Sequence, residues 1–370
     1  MDAMVTRREF LKVAGIAGAG AAAGAAGGYA FRALSGPLPG SAIGGELAIY
    51  NWSYYLFEPL LDEFRRQTGV SAIRYDTFES GDQVWQALQR APSGYDLVLL
   101  VDRYVPEAVA QGYILPIDAR NVPNLDLVLP TFEDLAYDPE HSHSVPYVWG
   151  TTGIGVNTAA VAGAVTSWAD LFDVPFLQAN FKKVTMLDDM RETLAAALLL
   201  LGHGVNTTVA ADLYEARDRL IEQKPYLAKY ASAAEYMAAL PAGDWAASHA
   251  WNGDVVQMRL GAPQVHYVVP TEGAVLWVDN FVVPAGARNK AAAEAFINFM
   301  LEPANETLNS EYIGYPNANR LSYDWLPESF RTDPAIYPDP TTMAKLRPLQ
   351  ELDPATLAVY EAVWQTVSQA

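Results

Sequence analysis

Hydrophobic and polar positions along this 370-residue chain switch repeatedly between a period of two and a period near 3.6, which sets out an α/β order. Leu47-Ala48-Ile49-Tyr50 reads as a short buried strand, and Phe57, Leu60, Leu61 and Phe64 then recur at helical spacing. Residues 72–75 form a second strand, Val84 and Leu88 with their neighbours suit a second helix, and 97–101 is an unbroken apolar run. Such a run belongs in a parallel sheet covered by helices on both faces. The β-α-β-α-β order predicts right-handed crossovers. In open sheets of this kind ligands collect beyond the C-terminal ends of the strands. That rule points to Trp52-Ser53-Tyr54-Tyr55 after the first strand and to Asp102-Arg103-Tyr104 after the third.

Residues 145–156 (VPYVWGTTGIGV) are strand-like and rich in small side chains, which suits a crossing into a second lobe. A second α/β unit follows: a strand near Val184, helices over 189–201 and 209–222, and a strand ending at Trp251. Residues 273–284 (GAVLWVDNFVVP) are apolar and strand-like and could carry the chain back. Residues 291–301 make an amphipathic helix, and the tail from Met343 reads as helical. The pattern therefore predicts lobe 1 over 46–154 and 277–315, and lobe 2 over 155–276 and 316–370.

Ahead of this lie a Gly/Pro/Ser linker at 36–45 and a leader at 1–35. The leader opens Thr6-Arg7-Arg8-Glu9-Phe10-Leu11-Lys12 and continues into a weakly apolar Ala/Gly run, which resembles a twin-arginine export signal. An amphipathic helix fits poorly, because the run has no polar face. Runs of this composition are either cleaved or stay in place as anchors. Gly18 to Gly24 mimics a glycine-rich dinucleotide loop, but no strand precedes it, so that reading fails.

The formal charge is −19, and without the leader 20 basic and 41 acidic residues leave −21. That balance repels nucleic-acid phosphates and anionic membranes, and favours cationic ligands only diffusely. Absence of cysteine excludes disulfides, thiolate metal sites and a lipid-modified N-terminal cysteine. His141 and His143 sit among Asp, Pro, Glu and Ser, a surface loop rather than a metal site. No cofactor is expected.

Four segments could carry chemistry. Asp189 and Glu192 open a helix, where Asp-x-x-Glu is a capping pattern; alternatively two carboxylates face a cleft, kept ionised by the helix dipole. Trp277 and Asp279 share one face of a strand, and a carboxylate there needs a ligand cation or an arginine to neutralise it. Trp251-Asn252-Gly253-Asp254 and Gly314-Tyr315-Pro316 each read first as a turn, the latter with an exposed aromatic. Together these give three carboxylates and several aromatics at element ends, the set an alkyl-ammonium requires.

The segments YNWSYY, YDLVL, VPYVWGTTGIGVN, TSWADL, LDDMRE, WNGD, EGAVLWVDNFVVP, INFMLEP and IGYPNAN stand in the order found in the periplasmic spermidine/putrescine-binding proteins. The chain resembles that family over nearly all of 47–370. The resemblance implies a type II binding-protein fold with two α/β lobes and the ligand enclosed between them. It implies that Asp189 and Glu192 hold one amine, that Asp279 holds a second, and that Trp52, Trp251, Trp277 and Tyr315 form aromatic walls. Ser53, Tyr55 and, after a one-residue shift, Gln350 match polar contacts. The chain departs from the family at Val101, Arg103 and Tyr54, all at the distal end of the ligand channel. An arginine there repels a third ammonium unless an acid such as Asp102 pairs with it. Putrescine, agmatine or a cation with a terminal carboxylate then fits better than spermidine; the bland alternative has Arg103 pointing to solvent.

The expected function is that of an exported, monomeric binding protein that closes on a polyamine by hinge motion and delivers it to the permease and ATPase of an ABC importer. An exported hydrolase is the rival class, but the chain has no nucleophile elbow, P-loop or convincing ligand set for a metal. The same fold holding another ligand, such as a cationic amino acid, a metal complex, an organic anion or a sugar, and a polyamine sensor, are the remaining alternatives.

Overall fold

The computed structural model describes residues 43–78, 80–90 and 94–370, so the expected leader and most of the linker lie outside the described residues. Strand β1 (Glu46–Trp52) alternates more and less buried positions. Helix α1 (Pro59–Thr68) starts on a proline and stops at Gly69, whose φ of 72° no β-carbon would favour. Strand β2 (Ala72–Phe78), helix α2 (Gly81–Gln89, capped by Ser80) and strand β3 (Leu97–Val101, buried throughout) complete the opening pattern. Strand β4 (Ser144–Asn157) is buried at every position. There follow β5 (Val184–Leu187), α3 (Met190–Leu201), α4 (Ala210–Gln223), β6 (Lys229–Ala231), α5 (Ala233–Ala242), β7 (Ala247–Trp251), α6 (Asn252–Gly261), β8 (Val265–Val268) and β9 (Val275–Pro284). Helices α7 (Lys290–Met300), α8 (Pro303–Ile313) and α9 (Pro354–Gln369) close the order.

The chain divides into two compact units. The first takes the described chain up to Val148, with Asp279–Ile313 and Asn317–Thr332; the second takes Trp149–Val278, Gly314–Pro316 and Asp333–Ala370. The chain therefore passes from one unit to the other inside β4 and inside β9. Residues 317–332, which the sequence pattern grouped with the second lobe, lie in the first unit.

In the first unit β2, β1 and β3 run parallel, and β9 joins β3 antiparallel with Asp279 opposite Val101. Leu47, Ile49, Leu97, Phe281 and Phe296 fill its core, and Phe64 meets Phe296 edge-on at 5.1 Å. In the second unit β4 lies antiparallel to both β8 and β7, and β7, β5 and β6 are mutually parallel. Leu187, Tyr236, Leu240, Val255 and Val265 form a core beneath it. The parallel run of β2, β1 and β3 is what an unbroken apolar strand such as 97–101 requires.

The tail is helical only from Pro354, not from Met343. Leu276 pairs with Pro348 in a short parallel bridge. The helix then has to be restarted by Asp353, whose side chain accepts from the Ala355 and Thr356 N–H groups ahead of a proline at the first position.

Candidate functional site

Each unit carries its own cluster of carboxylates and aromatic rings at strand ends. In the first unit β1 ends at Trp52, whose ring packs on Phe78 at 4.5 Å. The chain turns at once: the Ser53 N–H donates to the Phe78 carbonyl at 3.3 Å, and Tyr54 takes the left-handed region with φ 59°. That turn leaves Tyr54 76% exposed and Tyr55 buried. The Tyr55 hydroxyl donates to Asp279 Oδ2 at 2.8 Å. Burial pushes the Asp279 carboxyl up to about 6, against hydrogen bonds from Tyr55 and Trp52 and the positive charge of Arg103. Two aromatic donors and an arginine thus offset only part of the cost of placing a carboxylate in an apolar strand, and burial outweighs them. Val101 sits beside Asp279 across the ladder, and Arg103 follows one turn later. Its guanidinium lies 4.8 Å from the Tyr104 ring centroid, and Tyr104 stacks on Trp85 at 5.2 Å. Arg103 is half-buried rather than pointing freely to solvent.

In the second unit Asp189 is the N-cap of α3, with Oδ1 accepting from the Arg191 and Glu192 N–H groups at 2.9 and 3.1 Å. The capping reading holds for Asp189. Glu192 is buried in the first helical turn. Its charge adds to burial in holding the Tyr267 phenol above its usual range, and that phenol shares a 2.8 Å hydrogen bond with Thr151. Arg191, between the two acids, turns the other way: it donates to the Gln350 carbonyl at 3.1 Å and to Asn206 Oδ1 at 2.8 Å. Asn206 Oδ1 also accepts from the Gln350 N–H at 2.9 Å, so Gln350 is tethered by its backbone while the residue stays exposed.

The aromatic part of this unit departs from the sequence reading twice. Trp251-Asn252-Gly253-Asp254 is not a turn but the end of β7 running directly into α6. Tyr315 is not exposed: it retains 3% of its surface, and its hydroxyl donates to Asp254 Oδ1 at 2.9 Å. The reason is shared. A β-carbon on Gly253 would lie 2.3 Å from the Tyr315 ring, so the glycine opens the seat that the ring fills instead of bending a hairpin. Gly150 does the same for Trp277, whose ring would meet a β-carbon there at 2.3 Å. Trp277 and Tyr315 then meet edge-on at 5.3 Å. Trp251 packs at the border of the core beside Tyr236.

Asp254 is the site residue that the sequence did not single out. It is buried, receives hydrogen bonds from the Tyr236 and Tyr315 hydroxyls, and burial pushes it up to about 6 against those two bonds. The signal that could have found it is the acid three residues after Trp251, once the turn reading is dropped. His141 and His143 stand in a turn closed by Asp138, and among the described residues no cluster of acids and histidines could hold a metal ion. Among the described residues no helix is long and apolar enough to cross a membrane.

Carboxylates and tryptophans thus gather at strand ends in each unit. The chain matches the bacterial extracellular solute-binding protein family over residues 60–338, and it belongs to that family. It is 34% identical to the spermidine/putrescine-binding periplasmic protein of Salmonella typhimurium over 86% of this chain and 90% of that one. It is 30% identical to the putrescine-binding periplasmic protein SpuD of Pseudomonas aeruginosa over 90% and 95%. Among solved structures it resembles the spermidine/putrescine ABC transporter substrate-binding protein PotD of Streptococcus pneumoniae, with a TM-score of 0.78 and 30% identity over 88% of this chain and 99% of that one. The protein is accordingly an extracytoplasmic solute-binding protein with the two-unit fold of that family, and not an enzyme.

Proposed function

We propose that the protein captures a putrescine-like diamine outside the cytoplasm and delivers it to an ABC importer. The observation that carries this reading is that Asp279 and Asp254, both buried, are steadied by phenol hydroxyls beside tryptophan rings. Burying a carboxylate costs several kcal/mol unless a cation offsets it, and aromatic faces favour the same charge. In this reading Asp279, Trp52, Ser53 and Tyr55 of the first unit, and Asp189, Glu192, Asp254, Trp251, Trp277, Tyr315 and Gln350 of the second, contact the ligand. The names of the similar proteins support a polyamine over a sugar or an anion.

Arg103 favours a ligand with one ammonium, or a terminal carboxylate, at its end of the first-unit cluster, because its charge already reaches Asp279. Val101 and Tyr54 add no charge there to offset a further ammonium. Putrescine, agmatine or a cationic amino acid fits this better than spermidine. The protein acts as a monomer, is exported through the Arg7-Arg8 signal to the periplasm with its leader either removed or kept as an anchor, and docks on a permease driven by an ATPase.

Intrinsic tryptophan fluorescence of residues 46–370, titrated with putrescine, spermidine, agmatine and γ-aminobutyrate, tests the reading. Saturable quenching or enhancement by a diamine supports it. Silence to every amine in a folded, ligand-free sample refutes it, and spermidine binding far more tightly than the other three refutes the role given to Arg103.

A further inference from the structure

Behind the Tyr55–Asp279 contact lies a directed chain of buried hydrogen bonds within the first unit. The Phe57 N–H donates to Asn309 Oδ1 at 2.8 Å, and Asn309 Nδ2 donates to the Tyr147 hydroxyl oxygen at 2.6 Å. The Tyr147 hydroxyl donates to the Tyr55 backbone carbonyl at 2.8 Å, and the Tyr55 hydroxyl donates to Asp279 Oδ2 at 2.8 Å. Only one arrangement satisfies all four. A carbonyl can only accept, so the Tyr147 hydroxyl must spend its proton on Tyr55 and therefore needs a donor on its own oxygen. The Asn309 amide supplies that donor, and its other end takes the Phe57 N–H.

The members are placed to be rigid. Asn309 is 1% exposed on α8 and Tyr147 is 1% exposed in β4. The Tyr147 ring meets Phe281 at 4.4 Å and Tyr55 edge-on at 5.9 Å. Burial holds the Tyr147 phenol far above its usual range, so it stays a proton donor. The bonds from Tyr147 and Asn309 grip residues 55 and 57, the segment that leaves the strained turn at Tyr54. These bonds tie the turn to residues far off in sequence: Asn309 lies 252 residues from Phe57.

We infer that Tyr147 and Asn309 are positioning residues for ligand binding: they fix the 53–57 turn so that the Tyr55 hydroxyl reaches Asp279. They touch no ligand themselves. The inference rests on the reading of Asp279 as a ligand carboxylate, but its own readout does not need a ligand.

The test uses Tyr147→Phe, which deletes one oxygen, and Asn309→Leu, which keeps the volume and removes the amide. In ligand-free protein labelled with 13C at aspartate carboxyl carbons, the Asp279 titration midpoint moves upward in both variants, as it does in Tyr55→Phe. In Tyr147→Phe the affinity for putrescine falls ~5–10-fold, the equivalent of about one hydrogen bond. In a Tyr55→Phe background the same change moves neither quantity further, which a merely structural defect would not reproduce. An unchanged Asp279 midpoint in folded Tyr147→Phe, or equal losses with and without the Tyr55 hydroxyl, overturns the inference. If the midpoint moves as expected while Asp279→Asn binds putrescine like the native protein, the positioning stands and the ligand reading fails.

Discussion

Replacing Gly253 by alanine tests the packing of the second-unit site more sharply than any charge change. The added carbon would fall 2.3, 2.4 and 2.4 Å from three atoms of the Tyr315 ring. Carbon atoms in contact prefer about 3.5–4.0 Å, so the ring has to retreat by more than ~1 Å. It has little room: Tyr315 is buried, meets Trp277 at 5.3 Å, and is preceded by Gly314 at φ 77°. Overpacking of this kind costs ~1–3 kcal/mol. Losing the Tyr315 bond to a buried carboxylate adds ~1–3 kcal/mol. The better helix propensity of alanine offsets at most ~1 kcal/mol. The net destabilisation is therefore about 1–5 kcal/mol, read as a lower urea midpoint at unchanged slope. Putrescine affinity should fall with it. Unfolding at the native midpoint refutes the seat. So does an undiminished cost in a Tyr315→Ala background, where no ring remains to collide.

Three further outcomes follow from the same geometry. Asp189→Asn preserves a good N-cap and should keep the melting temperature while lowering putrescine affinity, whereas Asp189→Ala should also lose ~1 kcal/mol of stability; equal behaviour of the two in both assays would remove Asp189 from the ligand set. Asp279 and Asp254 titrate near 6 when folded against 3.8 as ordinary carboxyls, so the ligand-free fold binds the extra protons. Their contribution to stability is complete below 3.8 and is lost as pH rises through 6, on the order of 2–3 kcal/mol for each. A dication favours the ionised forms, so putrescine affinity should climb between pH 5 and 7 with protons released; calorimetry in two buffers of different ionisation heat would expose a flat profile. Arg103→Ser should improve spermidine relative to putrescine by at least ~10-fold if the guanidinium repels a third ammonium at an effective dielectric near 20; an unchanged ratio in competition titrations would place Arg103 outside the specificity set.

Much of this was legible along the chain. The apolar run at 97–101 announced a buried parallel strand, and Asp279 inside an apolar strand announced a partner because a buried charge must find one. The Asp189 cap was readable because a short acidic side chain ahead of an apolar helix has one usual use. Asp254 and the burial of Tyr315 were hidden for a common reason: Asn-Gly and Gly-Tyr-Pro carry turn chemistry locally, and only the close approach of a ring from 62 residues away converts the glycine into a seat. Tyr147 and Asn309 were equally hidden, since one reads as another core residue of an apolar strand and the other as a polar residue in a helix. The excess of buried amides on α8, with Asn305 and Asn309 both at 1% exposure or less, was the available hint. Residues 343–353 misread as helix because their apolar spacing continues that of α9, while Pro348 and the Asp353-Pro354 start decide otherwise.

The most direct measurement is calorimetric titration of the ligand-free domain with putrescine at pH 7.5, run on the native protein and on Asp279→Asn. Saturable one-to-one binding that the substitution weakens by ~100-fold or more, the scale of losing a charge-assisted contact in a buried site, is the expected result. Binding that is absent from the native protein, or undiminished in the variant, would contradict a diamine held at Asp279.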